Sequence, residues 1–332
     1  MNNKNRMYNF EKIALVIAAV ITVAIILLVV LGTRGSGRKK ADPSSVIDET
    51  SDISGDISAD ENSFVPYPHA EEFTTVKIDN SKLNDGPLVL VNQDHKYLAN
   101  IDDQLVNLYS YNQSDGKTGS DWYGLVDVSQ QLRGEVADAL NAMYRDYYAA
   151  LQSSDVVVTR TYVDSQTQQK EYDAEVQTAQ PDEKPYLQAG GYSEHQTGYA
   201  FNLRVSETAL SWFNDNCWKY GFIVRYPQGK ESVTYVKGEP NHFRFVGVPH
   251  ALYMKTQKLT LEEYLGLLET KTSDSRLKLD NGTSDKMETY MCKAQNGAET
   301  EIKVPAESSG WTYTVSGTNN GYFVVTIYKI EE

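Results

Sequence analysis

Apolar and polar residues follow several rhythms along this chain, and each rhythm marks a different kind of segment. Ile13 to Leu31 is apolar throughout except for Thr22. At 1.5 Å of helix rise per residue, that run is long enough to cross a hydrocarbon core of about 30 Å. Leu31-Gly32-Thr33-Arg34 offers no small-residue cleavage site, so residues 13–32 read as an uncleaved transmembrane anchor behind a cytoplasmic tail, residues 1–12. Residues 33–84 then lose all periodicity. Asp48-Glu49-Thr50-Ser51-Asp52-Ile53-Ser54-Gly55-Asp56 typifies the stretch, which lacks the apolar surface to offset its ordering entropy and reads as a flexible acidic linker.

Regular patterns resume near Gly86. Leu88-Val89-Leu90-Val91-Asn92 is a short apolar run before a polar turn, the mark of a strand. Leu132, Val136, Leu140, Met143 and Tyr147 fall on one face of a helix that Ser129 is placed to cap and that runs to about Leu151. Asp155 to Thr159 reads as a buried strand ending at Arg160, and Asp164 caps the helix after it. From His195 to Val205 the alternation suits a strand, with Ala200, Asn202 and Arg204 facing one way. His195 and Asn202 lie an odd number of residues apart, so a turn near Gly198 is needed to bring them to one side. Ser206 caps a helix carrying Leu210, Phe213, Cys217 and Tyr220, and Gly221 ends it. Phe222 to Tyr226 is a strand, and Leu261 to Leu268 a further helix. Beyond residue 270 the pattern is all β: residues 301–304, 311–315 and 322–328 are rich in β-formers, with Asn-Gly turns at Asn296-Gly297 and Asn320-Gly321. The fold class is α+β. A small mixed domain over residues 85–269 has an antiparallel sheet core flanked by helices, an all-β appendage fills 270–332, and a transmembrane helix precedes both.

Charge narrows the partners. With 31 Lys and Arg against 45 Asp and Glu, the formal net charge is −14, which argues against nucleic acid and against broad attachment to an anionic surface. Cys217 and Cys292 are too few for a disulfide framework or a thiolate metal site.

Candidate chemistry gathers in two short blocks that hold two of the five histidines. The first is Ser193-Glu194-His195-Gln196-Thr197-Gly198-Tyr199-Ala200-Phe201-Asn202; the second is Gly238-Glu239-Pro240-Asn241-His242-Phe243-Arg244-Phe245. His195 and His242 are imidazoles that a fold can bring to one Zn²⁺. Glu239, three residues before His242, supplies a carboxylate near such a metal without binding it. That combination suits metal-assisted hydrolysis, in which a base beside an open metal position takes a proton from water.

As wholes, these blocks resemble the signatures of the VanY-type D-alanyl-D-alanine carboxypeptidases, zinc peptidases of bacterial cell walls, whose pattern is S-x-H-x-x-G-x-A-x-D followed by E-P-W-H-F-R. Ser193, His195, Gly198 and Ala200 match the first; Glu239, Pro240, His242, Phe243 and Arg244 match the second. Lys219 to Glu231 between them is similar to the family's K-Y-G-F-I-x-R-Y-P-x-G-K-E. The resemblance implies zinc held by His195, Asn202 and His242, with Glu239 as general base and Arg160 stabilising charge and contacting substrate. Ser193 and Gln166 complete the implied substrate contacts. The chain departs from the pattern at the third ligand, where Asn202 stands for an aspartate; Asn241 replaces the tryptophan and Gly238 a tyrosine. The implied partner is a peptidoglycan stem peptide ending in D-Ala-D-Ala. Lys4, Arg6 and Lys12 before the anchor balance Arg34, Arg38, Lys39 and Lys40 after it, so the flanking charges leave orientation open. A wall substrate puts the C-terminal bulk outside the cell membrane. Two readings follow: a zinc D,D-carboxypeptidase, or a peptidase-fold module that binds wall peptides without cutting them. Keeping Arg160, His195, Glu239 and His242 together is more than a binder needs and favours the first.

Overall fold

The computed structural model describes residue 68 and residues 72–114, 123–280 and 286–329. The expected anchor and most of the expected linker lie outside the described residues, among which no helix is long and apolar enough to cross a membrane. In chain order the strands are β1 (Phe73–Asp79), β2 (Leu105–Asn107), β3 (Gly124–Leu125), β4 (Gln131–Arg133), β5 (Val157–Arg160), β6 (Ala200–Arg204), β7 (Phe222–Tyr226) and β8 (Glu239–Phe245). The appendage adds β9 (Leu277–Asp280), β10 (Lys286–Lys293), β11 (Glu299–Pro305), β12 (Trp311–Gly317) and β13 (Tyr322–Lys329). The helices are α1 (Leu108–Ser114), α2 (Gly134–Leu151), α3 (Ser165–Thr178), α4 (Glu207–Asn216), α5 (Glu231–Thr234), α6 (Val248–Gln257) and α7 (Leu261–Leu268).

The sheet that carries the candidate site runs β3-β5-β6-β8-β7. It is antiparallel except at its edge, where β3 pairs with β5 in parallel. Side chains alternate between the two faces of a strand. Val158, Phe201, Leu203 and Phe243 take one face and join Leu140, Tyr147 and Phe213 from α2 and α4 in the main core. Each of these is at most 1% exposed, and full burial of such a side chain stabilises by about 1.5–3 kcal/mol. The apolar face therefore holds the sheet to its helices and leaves the other face free for polar chemistry.

Several expectations shift in detail. Helix α2 starts at Gly134 rather than after Ser129, because the Asp127 carboxylate accepts from the Ser129 amide at 2.7 Å and closes a turn there. Gln131–Arg133 then pairs with β2 before the helix begins. Leu88 to Val91 pairs in no sheet and forms a buried seam, and Asn92 makes only an isolated bridge with His95. Val89 and Val91 enter the main core, while Leu88 and Leu90 enter a second core with α6, α7, Met291 of β10 and Val324 of β13. That second core joins the appendage to the peptidase-like body as one compact unit. Phe73–Asp79, inside the stretch expected to be linker, is a strand paired antiparallel with β11 along its whole length. Both cysteines are free, and Cys217 is buried.

Candidate active site

Register builds the site. Arg160 lies opposite Asn202 across β5 and β6, and Asn202 lies opposite His242 across β6 and β8. Directly opposed residues share a face, so three residues from sequence-distant strands form one row on the polar side of the sheet. A register shift between Val158 and Arg160 sets the arginine into that row. His195 arrives from a short 3₁₀ turn, Glu194–Thr197, ended by Gly198 at φ +68°. There a left-handed residue reverses the chain, and a Cβ would come within 2.9 Å of Leu105. This is the turn that the odd spacing of His195 and Asn202 requires. Arg133 fixes it by donating from Nε to the Thr197 carbonyl at 2.8 Å.

The two imidazoles end with ring centroids 4.9 Å apart, and the Tyr226 ring packs edge-on against His242 at 4.7 Å. Glu239, at the start of β8, places Oε2 3.4 Å from His242 Nδ1 and accepts from Asn202 Nδ2 at 3.4 Å. Burial alone would raise the Glu239 carboxyl; hydrogen bonding and charge from His242, the Asn202 amide and the charge of Arg160 outweigh it, and the net displacement is downward. His195 is held well below its ordinary value, chiefly by burial and further by His242 and Arg160.

The buried polar atoms show what the site lacks from protein. Ser193 Oγ, Glu194 Oε2, His195 Nδ1, Asn202 Oδ1 and His242 Nε2 are buried without a hydrogen-bond partner. Such atoms are rare in native interiors, and clusters of them mark ligand or ion sites. Among the described residues no three His, Cys, Asp or Glu side chains are grouped to hold a metal. The third place in this set belongs to Asn202, whose amide oxygen is a neutral donor. Two imidazoles and an amide oxygen fit a divalent cation, with Glu239 as a nearby anion.

Arg160 is half-buried, and its Nη2 donates to Gln168 Oε1 at 2.9 Å and Glu171 Oε2 at 2.6 Å. The glutamine at the arginine is thus Gln168, which turns inward from α3 and donates on to the Gln188 carbonyl at 2.7 Å. Gln166 instead lines an open cleft of about 450 Å³ with Lys96, Leu98, Ser165, Gln169 and Lys170. Sequence reading also missed a buried charge cluster behind the histidines. Glu194, Arg225 and Arg244 are all 0% exposed. Glu194 Oε1 accepts from Arg225 Nε at 2.7 Å and from Arg244 Nη1 at 2.8 Å. Arg225 forks onto Glu262 through Nη1 and Nη2 at 2.9 and 2.6 Å. The available signal was an arginine inside an apolar strand pattern, Phe222-Ile223-Val224-Arg225-Tyr226, which demands a buried counter-charge.

Comparison with known proteins finds a likeness over the part of the chain that carries these residues. The family model described as VanY, D-alanyl-D-alanine carboxypeptidase, matches residues 129–248. A D-alanyl-D-alanine carboxypeptidase of Enterococcus faecium is 29% identical over 259 residues, 76% of this chain and 78% of that protein. A bifunctional D-Ala-D-Ala dipeptidase and carboxypeptidase of Enterococcus gallinarum is 37% identical over 95 residues, covering 24% of this chain and 50% of that protein. Among solved structures, the vancomycin-resistance D,D-dipeptidase VanXYg in complex with a D-Ala-D-Ala phosphinate analogue superposes with a TM-score of 0.66 at 25% identity. That match covers 77% of this chain and 99% of the other, so the likeness runs well beyond the residues of the family model. Residues 129–248 are a domain of the VanY carboxypeptidase family.

Proposed function

We propose that this chain is a membrane-anchored zinc D,D-carboxypeptidase that removes the terminal D-alanine from peptidoglycan stem peptides. The observation that carries the reading is the row of Arg160, Asn202 and His242 across three strands, with His195 and Glu239 closing around it. His195, Asn202 and His242 would hold the zinc. When bound, the ion supplies a Lewis acid for the scissile carbonyl and a lowered pKa for attacking water.

The side chains do the rest. Glu239 is 42% exposed and its carboxyl is displaced downward, so at neutral pH it is ionised and open to solvent. It takes the proton of the attacking water and passes it to the leaving amine of D-alanine. The Arg160 guanidinium stabilises the developing oxyanion or the terminal carboxylate, with Gln168 and Glu171 fixing its plane. Ser193 and the cleft beside Gln166 receive the peptide. The apolar run before the linker anchors the enzyme with its C-terminal bulk outside the membrane, where stem peptides lie.

The test is D-alanine release from a peptide ending in D-Ala-D-Ala, measured on the purified full chain in detergent beside its zinc content. Bound zinc with release of free D-alanine is the expected result. Peptide binding without release, at full zinc occupancy, would give the binding-module reading the support it now lacks and end this one.

A further inference from the structure

Three carboxylates at the start of α3 are committed, while two lysines near them are not. Asp164 accepts from the Gln166 and Thr167 amides at 2.9 Å each, Glu171 holds Arg160 at 2.6 Å, and Asp173 accepts from Gln169 Nε2 at 2.8 Å. Lys170 on the same helix and Lys96 from the loop after the buried seam line the open cleft of about 450 Å³. Among the described residues neither forms an ion pair; Lys96 Nζ stands 5.7 Å from the centroid of the Tyr192 ring. The cleft floor is shaped to take the Lys96 stem. Gly191 has φ +96°, and a Cβ there would come within 2.6 Å of Lys96 Cε, so only a bare glycine lets the stem lie across it. The neighbouring Tyr97 amide donates to the Gly191 carbonyl at 2.7 Å. Asn319, from the turn between β12 and β13 of the appendage, donates from Nδ2 to the Leu90 and Lys96 carbonyls at 2.9 and 3.0 Å. The same floor runs into the candidate site. Gly190 N donates to Gln169 Oε1 at 3.0 Å and Gly191 N to Gln196 Oε1 at 2.6 Å. Gln196 adjoins His195, and Gln168, adjoining Gln169, holds Arg160.

We infer that Lys96 and Lys170 form a carboxylate subsite that sets specificity: the preferred peptide carries a free carboxylate one or two residues upstream of its D-Ala-D-Ala end, rather than the corresponding amide. An ammonium on a flexible stem attracts a carboxylate as a point charge and gains far less from a neutral carboxamide. With a net charge of −14, the field of the whole chain repels acidic peptides. Selection for one therefore has to come from local cations that no protein carboxylate has claimed. The appendage takes part, because its turn holds the backbone of one of the two lysines. The inference deepens the proposed reading and rests on it for the reaction that reports the preference; binding measures the subsite separately.

Zinc-loaded full-length protein in detergent is given paired pentapeptides ending in D-Ala-D-Ala, with glutamate or glutamine at the first or the second upstream position. At least one glutamate peptide is expected to exceed its glutamine twin by about three- to tenfold in kcat/KM, through KM, with the ratio shrinking as salt rises. K96Q/K170Q should bring the twins to one value, and K96E/K170E should invert their order. A variant that merely lost structure would lower both twins alike. Equal handling of the twins by the wild type, or a ratio that survives K96Q/K170Q, overturns the inference. Should no peptide release D-alanine, the proposed activity falls, and fluorescence anisotropy with the same peptides, labelled, decides the subsite alone. A glutamate preference lost in K96Q/K170Q then keeps it, and equal binding ends it. Release of D-alanine without any preference leaves the activity standing and removes the subsite.

Discussion

Two buried histidine settings in this molecule are alike in exposure and opposite in chemistry. His250, at 5% exposed, has both ring nitrogens engaged: Nδ1 with the Tyr264 hydroxyl at 2.6 Å and Nε2 with the Thr326 hydroxyl at 3.0 Å. It pins α6 to α7 and to β13 of the appendage. Burial alone pushes it down to about 3. His195 and His242, at 4% and 2% exposed, each keep a nitrogen with no partner and face one another across 4.9 Å. Burial does not tell a structural histidine from a working one; completeness of hydrogen bonding does.

That contrast breaks most sharply at the base. Glu239→Gln should lower D-alanine release by about 10²–10⁴-fold, with zinc content and urea midpoint unchanged. A variant with near-normal activity would remove Glu239 from the mechanism. His250→Ala should do the reverse. Losing two buried hydrogen bonds and packing costs about 2–4 kcal/mol of stability by urea titration, while the zinc of the folded fraction is retained. Zinc loss at unchanged stability would mean the two settings had been assigned the wrong way round.

Acid should expose the structural histidine as well. His250 is depressed in the native state, so the unfolded chain binds its proton first as pH falls. Its contribution is full above about 6.5 and is lost at up to about 1.4 kcal/mol per pH unit between there and the native value. His250→Phe should flatten the decline of the urea midpoint between pH 6 and 4 by about one proton's worth; an unchanged slope would place the acid sensitivity elsewhere.

Smaller effects sharpen the metal side. Asn202→Asp adds a formal charge to the ligand set and should tighten zinc by about tenfold or more in chelator competition. No tightening would show that position 202 does not reach the ion. Glu171→Gln frees Arg160 from an ion pair whose partners are 35% and 44% exposed. A pair so open to solvent holds weakly, and KM for the peptide should fall by about two- to fivefold with kcat unchanged.

How much of this was written in the chain follows the reach of each interaction. The sequence by itself determined what short-range pattern encodes: the helices ending at Leu151 and Leu268, the strands at Phe222 and Tyr322, and the two motif blocks. It also contained the turn at Gly198, because the parity of His195 and Asn202 demands one. Tertiary structure alone decided what depends on partners far along the chain. Glu194 meets Arg225 and Arg244 from 31 and 50 residues away, and Phe73–Asp79 finds its ladder only in β11. Gln168 rather than Gln166 reaches Arg160 because the rotation of α3, set by its packing, picks the inward position. Periodicity fixes which face of an element is apolar, whereas register and chain closure choose which polar groups meet across it.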